Sequence, residues 1–178
     1  MSGLRIPVNE NDHSQGRADA LVTLVEYGDY QCPYCGEAYG VVKDLQRRFG
    51  DDLRLVFRNF PLSDMHPQAL PAAVVAEYAG SHDRYWEAHD ALYENQRNLG
   101  SALYSGLLHE LGLPLDGLRQ AMDDNAFEGR IQGDLDGGIR SGVNGTPSFF
   151  INGQRYDVRG GFEDLANPIA ALIERGGR

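Results

Sequence analysis

Glu26-Tyr27-Gly28-Asp29-Tyr30-Gln31-Cys32-Pro33-Tyr34-Cys35 holds the only two cysteines of a 178-residue chain. Before it, Leu21-Val22-Thr23-Leu24-Val25 is an apolar, β-branched run of strand length. After it, Val41, Val42, Leu45 and Phe49 recur at three- and four-residue spacing, the stripe of an amphipathic helix. The pattern predicts a strand over 21–28 and a helix over 33–49, closed by Gly50. Pro33 falls in the first helical turn, where its missing N–H is not needed. Cys32 sits at or next to the N-cap.

A helix N-terminus carries unpaired N–H groups and about half a positive charge, which stabilises a thiolate over a thiol. Cys35, about one turn on, comes round beneath Cys32, close enough for a disulfide. Cys32 is thus expected to be the exposed nucleophile and Cys35 the buried partner of higher pKa that resolves a mixed disulfide. Two other readings of the pair compete. A structural disulfide across so short a loop would remove little unfolded-chain entropy. A zinc half-site would need a second ligand pair, and the five histidines are scattered. The redox reading is preferred, and no metal site is expected.

Composition limits the rest. The length suits one domain, or one with a sizeable insertion, and 42% hydrophobic residues with 10% aromatics are those of a soluble globular chain. A formal net charge of −10 argues against nucleic acid and anionic membranes as partners. Residues 1–20 are polar, broken by Pro7, Asn9, Asn11 and Gly16, and lack the apolar core of a secretory signal. The cytoplasm is therefore the expected compartment, or a periplasmic or other extracytoplasmic one if a signal has been removed. In the cytoplasm a lone vicinal pair is catalytic or redox-sensing more often than structural.

Residues 1–20 read as an extended lead-in. Leu53-Arg54-Leu55-Val56-Phe57-Arg58 alternates as a second strand, parallel to the first through a right-handed crossover. From Asn59 the pattern changes to helices: Ala69–Ala79 with Pro71 in its first turn, then an aromatic stripe of Tyr85, Trp86, His89, Leu92 and Tyr93. Leu103–Leu111, Leu115–Met122 and the glycine-rich Phe127–Ile139 follow. Ser148-Phe149-Phe150-Ile151, Asn152-Gly153 and Gln154–Val158 form a hairpin with a type I′ turn. Phe162–Glu174 closes the chain as a helix that Pro168 should disturb. The fold class is α/β: a thioredoxin fold on a four-stranded mixed sheet, with a helical domain inserted between the βαβ unit and the C-terminal ββα unit. The expected division is 21–60 with 142–178 for the thioredoxin-fold part and 61–141 for the insertion. The aromatic stripe is expected to be insertion core. Asp134 and Asp136 are expected to lie on a polar helix face, and His66, His82, His89 and His109, with no acidic partner in view, to be surface or packing residues. His66 is set apart because its loop should approach the active-site rim.

From Val22 to Ile173 the chain resembles the DsbA-like thiol:disulfide oxidoreductases of the thioredoxin superfamily. The resemblance rests on the 26–35 stretch and on Val143-Asn144-Gly145-Thr146-Pro147-Ser148-Phe149-Phe150-Ile151-Asn152-Gly153. It rests also on the pattern around His66-Pro67 and on Tyr85-Trp86-Glu87-Ala88-His89-Asp90-Ala91-Leu92. It implies that Pro147 is cis and faces the cysteine pair, and that Thr146 backbone groups are free to pair with an extended substrate. It implies that Glu26 is a buried acid beneath the pair, of raised pKa, able to take the proton Cys35 must lose. Pro33 and Tyr34 would tune the redox poise. The implied activity is disulfide exchange with protein or small-thiol partners, without metal or organic cofactor and as a monomer. Pro33-Tyr34 and Gly160-Gly161 also resemble glutaredoxin features, which makes glutathione a candidate electron partner. Kappa-class glutathione transferases usually keep one serine where this chain keeps two cysteines, which counts against a transferase. A thioredoxin-fold binding or chaperone module for unfolded polypeptides and a glutathione-linked reductase are the alternatives. An isomerase would call for a dimerisation segment not left over here.

Overall fold

The computed structural model describes residues 3–176, so the outermost residues of the lead-in and of the closing segment lie outside the described residues. Five strands form one sheet: β1 (His13–Gln15), β2 (Val22–Gly28), β3 (Leu53–Asn59), β4 (Ser148–Ile151) and β5 (Gln154–Tyr156), in the order β1-β3-β2-β4-β5. Strands β2 and β3 run parallel, Val22 opposite Leu53 through Gly28 opposite Asn59, and the other pairs are antiparallel. The expected four-strand sheet gains a fifth. Strand β1 lies inside the lead-in, where three polar residues give no alternation to read. It is held by partners far along the chain: His13 Nε2 reaches Glu77, and Arg58 grips Asp12 beside it.

Helix α1 (Pro33–Phe49) crosses between β2 and β3. Helices α2 (Ala69–Gly80), α3 (Tyr85–Glu94), α4 (Ser101–Leu111), α5 (Leu115–Asp123) and α6 (Glu128–Arg140) follow, and α7 (Ala166–Glu174) ends the chain after a 3-10 turn over Phe162–Leu165. Pro168 falls in the first turn of α7. It starts that helix rather than disturbing it. The hairpin turn has positive φ at both Asn152 (48°) and Gly153 (80°), as a type I′ turn needs; β5 stops two residues earlier than the alternation suggests.

The two faces of the sheet follow from strand alternation. Val22, Leu24, Leu53, Leu55, Phe149 and Ile151 pack on Ala38, Val42 and Leu45 of α1 and on Leu165 and Ile169. Val25, Tyr27, Val56 and Phe150 face the other way, onto Val143, Phe60, Leu135 of α6 and Leu4 and Val8 of the lead-in. The glycine-rich α6 is packed closely at its end. A Cβ on Gly138 would stand 2.9 Å from the Phe60 ring and 3.0 Å from Tyr27. Asp134 is no exposed face residue either: its Oδ2 accepts from Asn59 N and Nδ2 at 3.0 Å, latching α6 to the end of β3.

A third cluster runs through both parts of the chain. Tyr30, Cys35 and Phe57 pack directly with Ala76, Tyr85, Leu92 and Tyr93 of the helical block. The aromatic stripe is core, as expected. His89 lies at its centre, and burial pushes its imidazole well below its ordinary value, so it packs as a neutral ring. The cysteine pair therefore sits on a seam between sheet and helices rather than on the sheet alone.

Candidate active site

Cys32 is the N-cap of α1 and Pro33 its first residue, with no acidic residue in the first turn to offset the positive helix end. Both thiols are free. The Cys35 thiol donates to Cys32, and Thr146 and the N–H groups of Cys35 and Tyr34 add to this; together they outweigh burial and bring Cys32 down to about 5. Cys35 goes the other way: burial pushes its thiol well above the ordinary value, and the neighbouring Cys32 and Glu26 push it further. One sulfur is a thiolate at neutral pH and its neighbour a thiol.

Cys32 is not the exposed residue the sequence suggested. It is 4% exposed, and Cys35 is at 0%. The cover is the loop before β4: the Thr146–Pro147 bond is cis, and the Thr146 carbonyl oxygen lies 3.6 Å from Cys32 Sγ. The sulfur thus lies beneath the bend rather than out in solvent, while Tyr34 beside it is 65% exposed. A cleft of about 320 Å³ opens between Tyr34, Thr146, Pro147 and the Arg155–Tyr156 stretch of the edge strand.

Glu26 lies in β2 between two neighbouring strands, opposite Phe57 and Phe149, and is 3% exposed. Its even position puts it on the α1 face with Val22 and Leu24, under the cysteine pair. Burial raises its carboxyl to about 8, and the Cys32 charge adds to the rise.

Three residues that hold the site were not singled out by the sequence reading. Asp29 Oδ1 accepts from the N–H groups of Gln31 and Cys32 at 2.8 and 3.2 Å, an Asx turn leading into the helix. Its Oδ2 accepts from Leu62 N at 3.0 Å and pairs with His66 Nδ1 at 2.8 Å. His66 therefore does have an acidic partner, Asp29, and does reach the site's rim, as expected of its loop. Gln96, just after α3, donates from Nε2 to the carbonyls of Tyr30 and Cys32 at 2.9 and 2.7 Å. The residue before the nucleophile is fixed too, since Gln31 Oε1 accepts from Gln68 N at 2.6 Å.

The opposed shifts have a thermodynamic consequence. Glu26 titrates near 4.5 unfolded and about 8 folded, so its contribution is full below pH 4.5 and falls as pH rises to 8. Cys32 titrates near 9.0 unfolded and about 5 folded, so its contribution is full above pH 9 and falls as pH drops to 5. Between 5 and 8 the two slopes oppose each other. Glu26→Gln removes the falling one, and urea unfolding of the reduced variant is expected to show stability rising with pH by about 1.4 kcal/mol per unit relative to the parent. Parallel curves would mean that Glu26 does not hold its proton in the fold.

No group of three or more metal-ligating side chains exists among the described residues, and no described helix is long and apolar enough to cross a membrane. The family model described as thioredoxin matches residues 8–171. The chain belongs to that thioredoxin family. A curated relative, a Na(+)/H(+) antiporter NhaA 1 of Salinispora arenicola, is 41% identical over 171 residues, which cover 96% of this chain but 26% of that protein. The chain thus spans about a quarter of the length of the curated relatives it matches. Among solved structures, oxidised BdbD from Bacillus subtilis superposes with a TM-score of 0.80 at 24% identity, covering 99% of this chain and 97% of that one. Wolbachia pipientis alpha-DsbA1 superposes at 0.81 and 22%, covering 97% and 96%. The fold is that of DsbA-like proteins, helical block included.

Proposed function

We propose that the chain is a thiol:disulfide oxidoreductase in which Cys32 exchanges covalent partners with protein thiols and disulfides, and Cys35 closes or opens the internal disulfide. The observation that carries this reading is the split within one pair: Cys32 at about 5 under the Thr146–Pro147 bend, and Cys35 buried and raised directly behind it. A structural pair needs no such split. Glu26 is the group that takes the Cys35 proton in this reading: at about 8 its carboxyl is mostly protonated at neutral pH, and it accepts through the ionised fraction, which grows as pH rises towards 8. Pro147 offers no N–H, so an extended substrate would pair with the Thr146 backbone along the cleft beside Tyr34. Pro33, by starting the helix, and Tyr34, by its exposed ring, tune and flank the pair.

The same split favours a direction. At pH 7 a thiol of pKa about 5 gains roughly 3 kcal/mol of dithiol stability over one at 9, or ~60 mV towards the oxidant side. The chain would then donate its disulfide to substrates. Glutathione, as a small-thiol partner, and a monomeric state belong to this proposal. Ion antiport, the activity in the relatives' names, is not carried over to a region without a membrane-crossing helix among its described residues.

Iodoacetamide labelling of Cys32 against pH tests the reading, with an expected midpoint of about 5. A midpoint near 9 would overturn it. Met65, 71% exposed on the His66 loop, and Tyr34 are the apolar surface a binding module would use. Oxidation of a reduced, unfolded substrate separates the two functions, because alkylating both thiols should stop an oxidoreductase and leave a pure binder unaffected.

A further inference from the structure

Among the described residues, the side chains of Glu26 and Tyr93 each leave a buried oxygen, Glu26 Oε1 and the Tyr93 hydroxyl, without a hydrogen-bond partner. Both lie on the α1 side of β2. The Tyr93 ring, from α3, is fixed by Tyr30, Tyr39 and His89 at centroid distances of 5.0, 5.2 and 5.1 Å. Its hydroxyl hangs over Gly28: a Cβ there would stand 3.1 Å from that oxygen and 2.5 Å from Phe57 Cε2. Gly28 follows Glu26 by two positions in β2, so the two share a face at a Cα spacing of about 7 Å. Having no side chain at 28 lets a phenol from the helical block reach β2 on the face that carries Glu26. Burial pushes the phenol well above its ordinary value, and the Cys35 and Glu26 charges push it further, so it remains a protonated donor.

We propose that Tyr93 is the hydrogen-bond donor that meets the Glu26 carboxylate when Glu26 ionises, and is thereby a positioning residue for the proton acceptor of the cysteine pair. A buried carboxylate with no donor is strongly disfavoured, and one phenol O–H removes much of that penalty. Its catalytic meaning rests on the exchange function proposed above. In the closing step Cys35 passes its proton to the Glu26 carboxylate and its sulfur attacks Cys32 Sγ. The bond from Cys32 to the substrate sulfur breaks, and the electron pair leaves with the substrate as a thiolate. The donor from Tyr93 holds the acceptor ready before the proton arrives. The other titratable groups facing this place are Cys32 at the N-cap and Cys35 and Tyr39 of α1, Asp29 and Tyr30 from the loop after β2, and the neutral His89 from α3; Glu77 and Asp90 act on Tyr30 from further out.

Tyr93→Phe keeps the ring and removes the oxygen. Carboxyl carbon NMR of Glu26 in the reduced protein is expected to titrate about one pH unit higher in the variant, about tenfold in proton affinity. Release of a small thiol preloaded on Cys32 should shift its pH profile by the same amount, and in a Glu26→Gln background Tyr93→Phe should leave that profile unchanged. If Tyr93→Phe fails to fold, 3-fluorotyrosine placed at 93, a stronger donor, should move the Glu26 titration down. An unmoved Glu26 titration in the variant that folds overturns the proposal. A moved titration in a protein that never releases thiol supports the Tyr93 contact and refutes the exchange function, so the two failures are distinct.

Discussion

Cys32→Ser is expected to bring disulfide exchange down to the rate of the buffer alone. At pH 7 a group of pKa about 5 is almost wholly thiolate, whereas a serine hydroxyl is not ionised and forms no disulfide. The hydroxyl would keep the helix N-terminus intact, so the loss would be chemical rather than structural. Cys35→Ser should give the opposite picture. Cys32 would still attack a substrate disulfide, joining its sulfur to one substrate sulfur and expelling the other as a thiolate. Nothing behind it would then complete the release. Covalent adducts with substrate should accumulate on non-reducing gels and vanish with a reductant. The asymmetry follows from the opposed shifts, Cys32 lowered to about 5 at the helix N-terminus and Cys35 raised by burial behind it. Full exchange by Cys32→Ser, or equal behaviour of the two variants, would refute the assignment of roles.

What could be read in the sequence was local. The strand, the proline-started helix, the cysteine spacing and the Asn152-Gly153 turn are each decided within a few residues, and they stand where expected. The Glu26 burial was legible only through the family resemblance, because an acid at the end of an apolar run can equally face solvent from an edge strand. The misses share one cause: their partners are far along the chain. Asp29 meets His66 and Leu62, and Gln96 meets Tyr30, across separations that no periodicity encodes. A partial signal existed for Asp29, since an aspartate three residues before a helix's first amides is placed for an Asx turn. The burial of Cys32 has the same kind of cause. The helix end that presents it is written in the local sequence, whereas the Thr146 loop that covers it comes 114 residues later.

Arg58 is where such a distant contact should matter most for stability. The side chain is buried at the end of β3, on the face opposite the active site. It donates to both carboxylate oxygens of Asp12 at 2.8 and 2.9 Å, to the carbonyls of Ile6 and Pro7, and to the Tyr27 hydroxyl at 3.0 Å. Burial by itself would raise the Asp12 carboxyl; the Arg58 hydrogen bonds and charge overcome this and hold it below its ordinary value. Arg58→Ala leaves that carboxylate buried without its hydrogen-bonded partner, with only the more distant Arg130 charge near it, and frees two carbonyls of the lead-in, an expected loss of about 3–5 kcal/mol. For a domain of this size the melting temperature should fall by about 10 °C or more. Asp12→Leu in the same chain should restore part of the loss, because the stranded charge, rather than the missing attraction, carries most of it. The Cys32 labelling midpoint should stay at about 5 in every variant that folds, since α1 and the Thr146 loop do not touch this network. A loss under about 1 kcal/mol, the size of an exposed ion pair, would show that the lead-in does not need Arg58 to stay on the sheet.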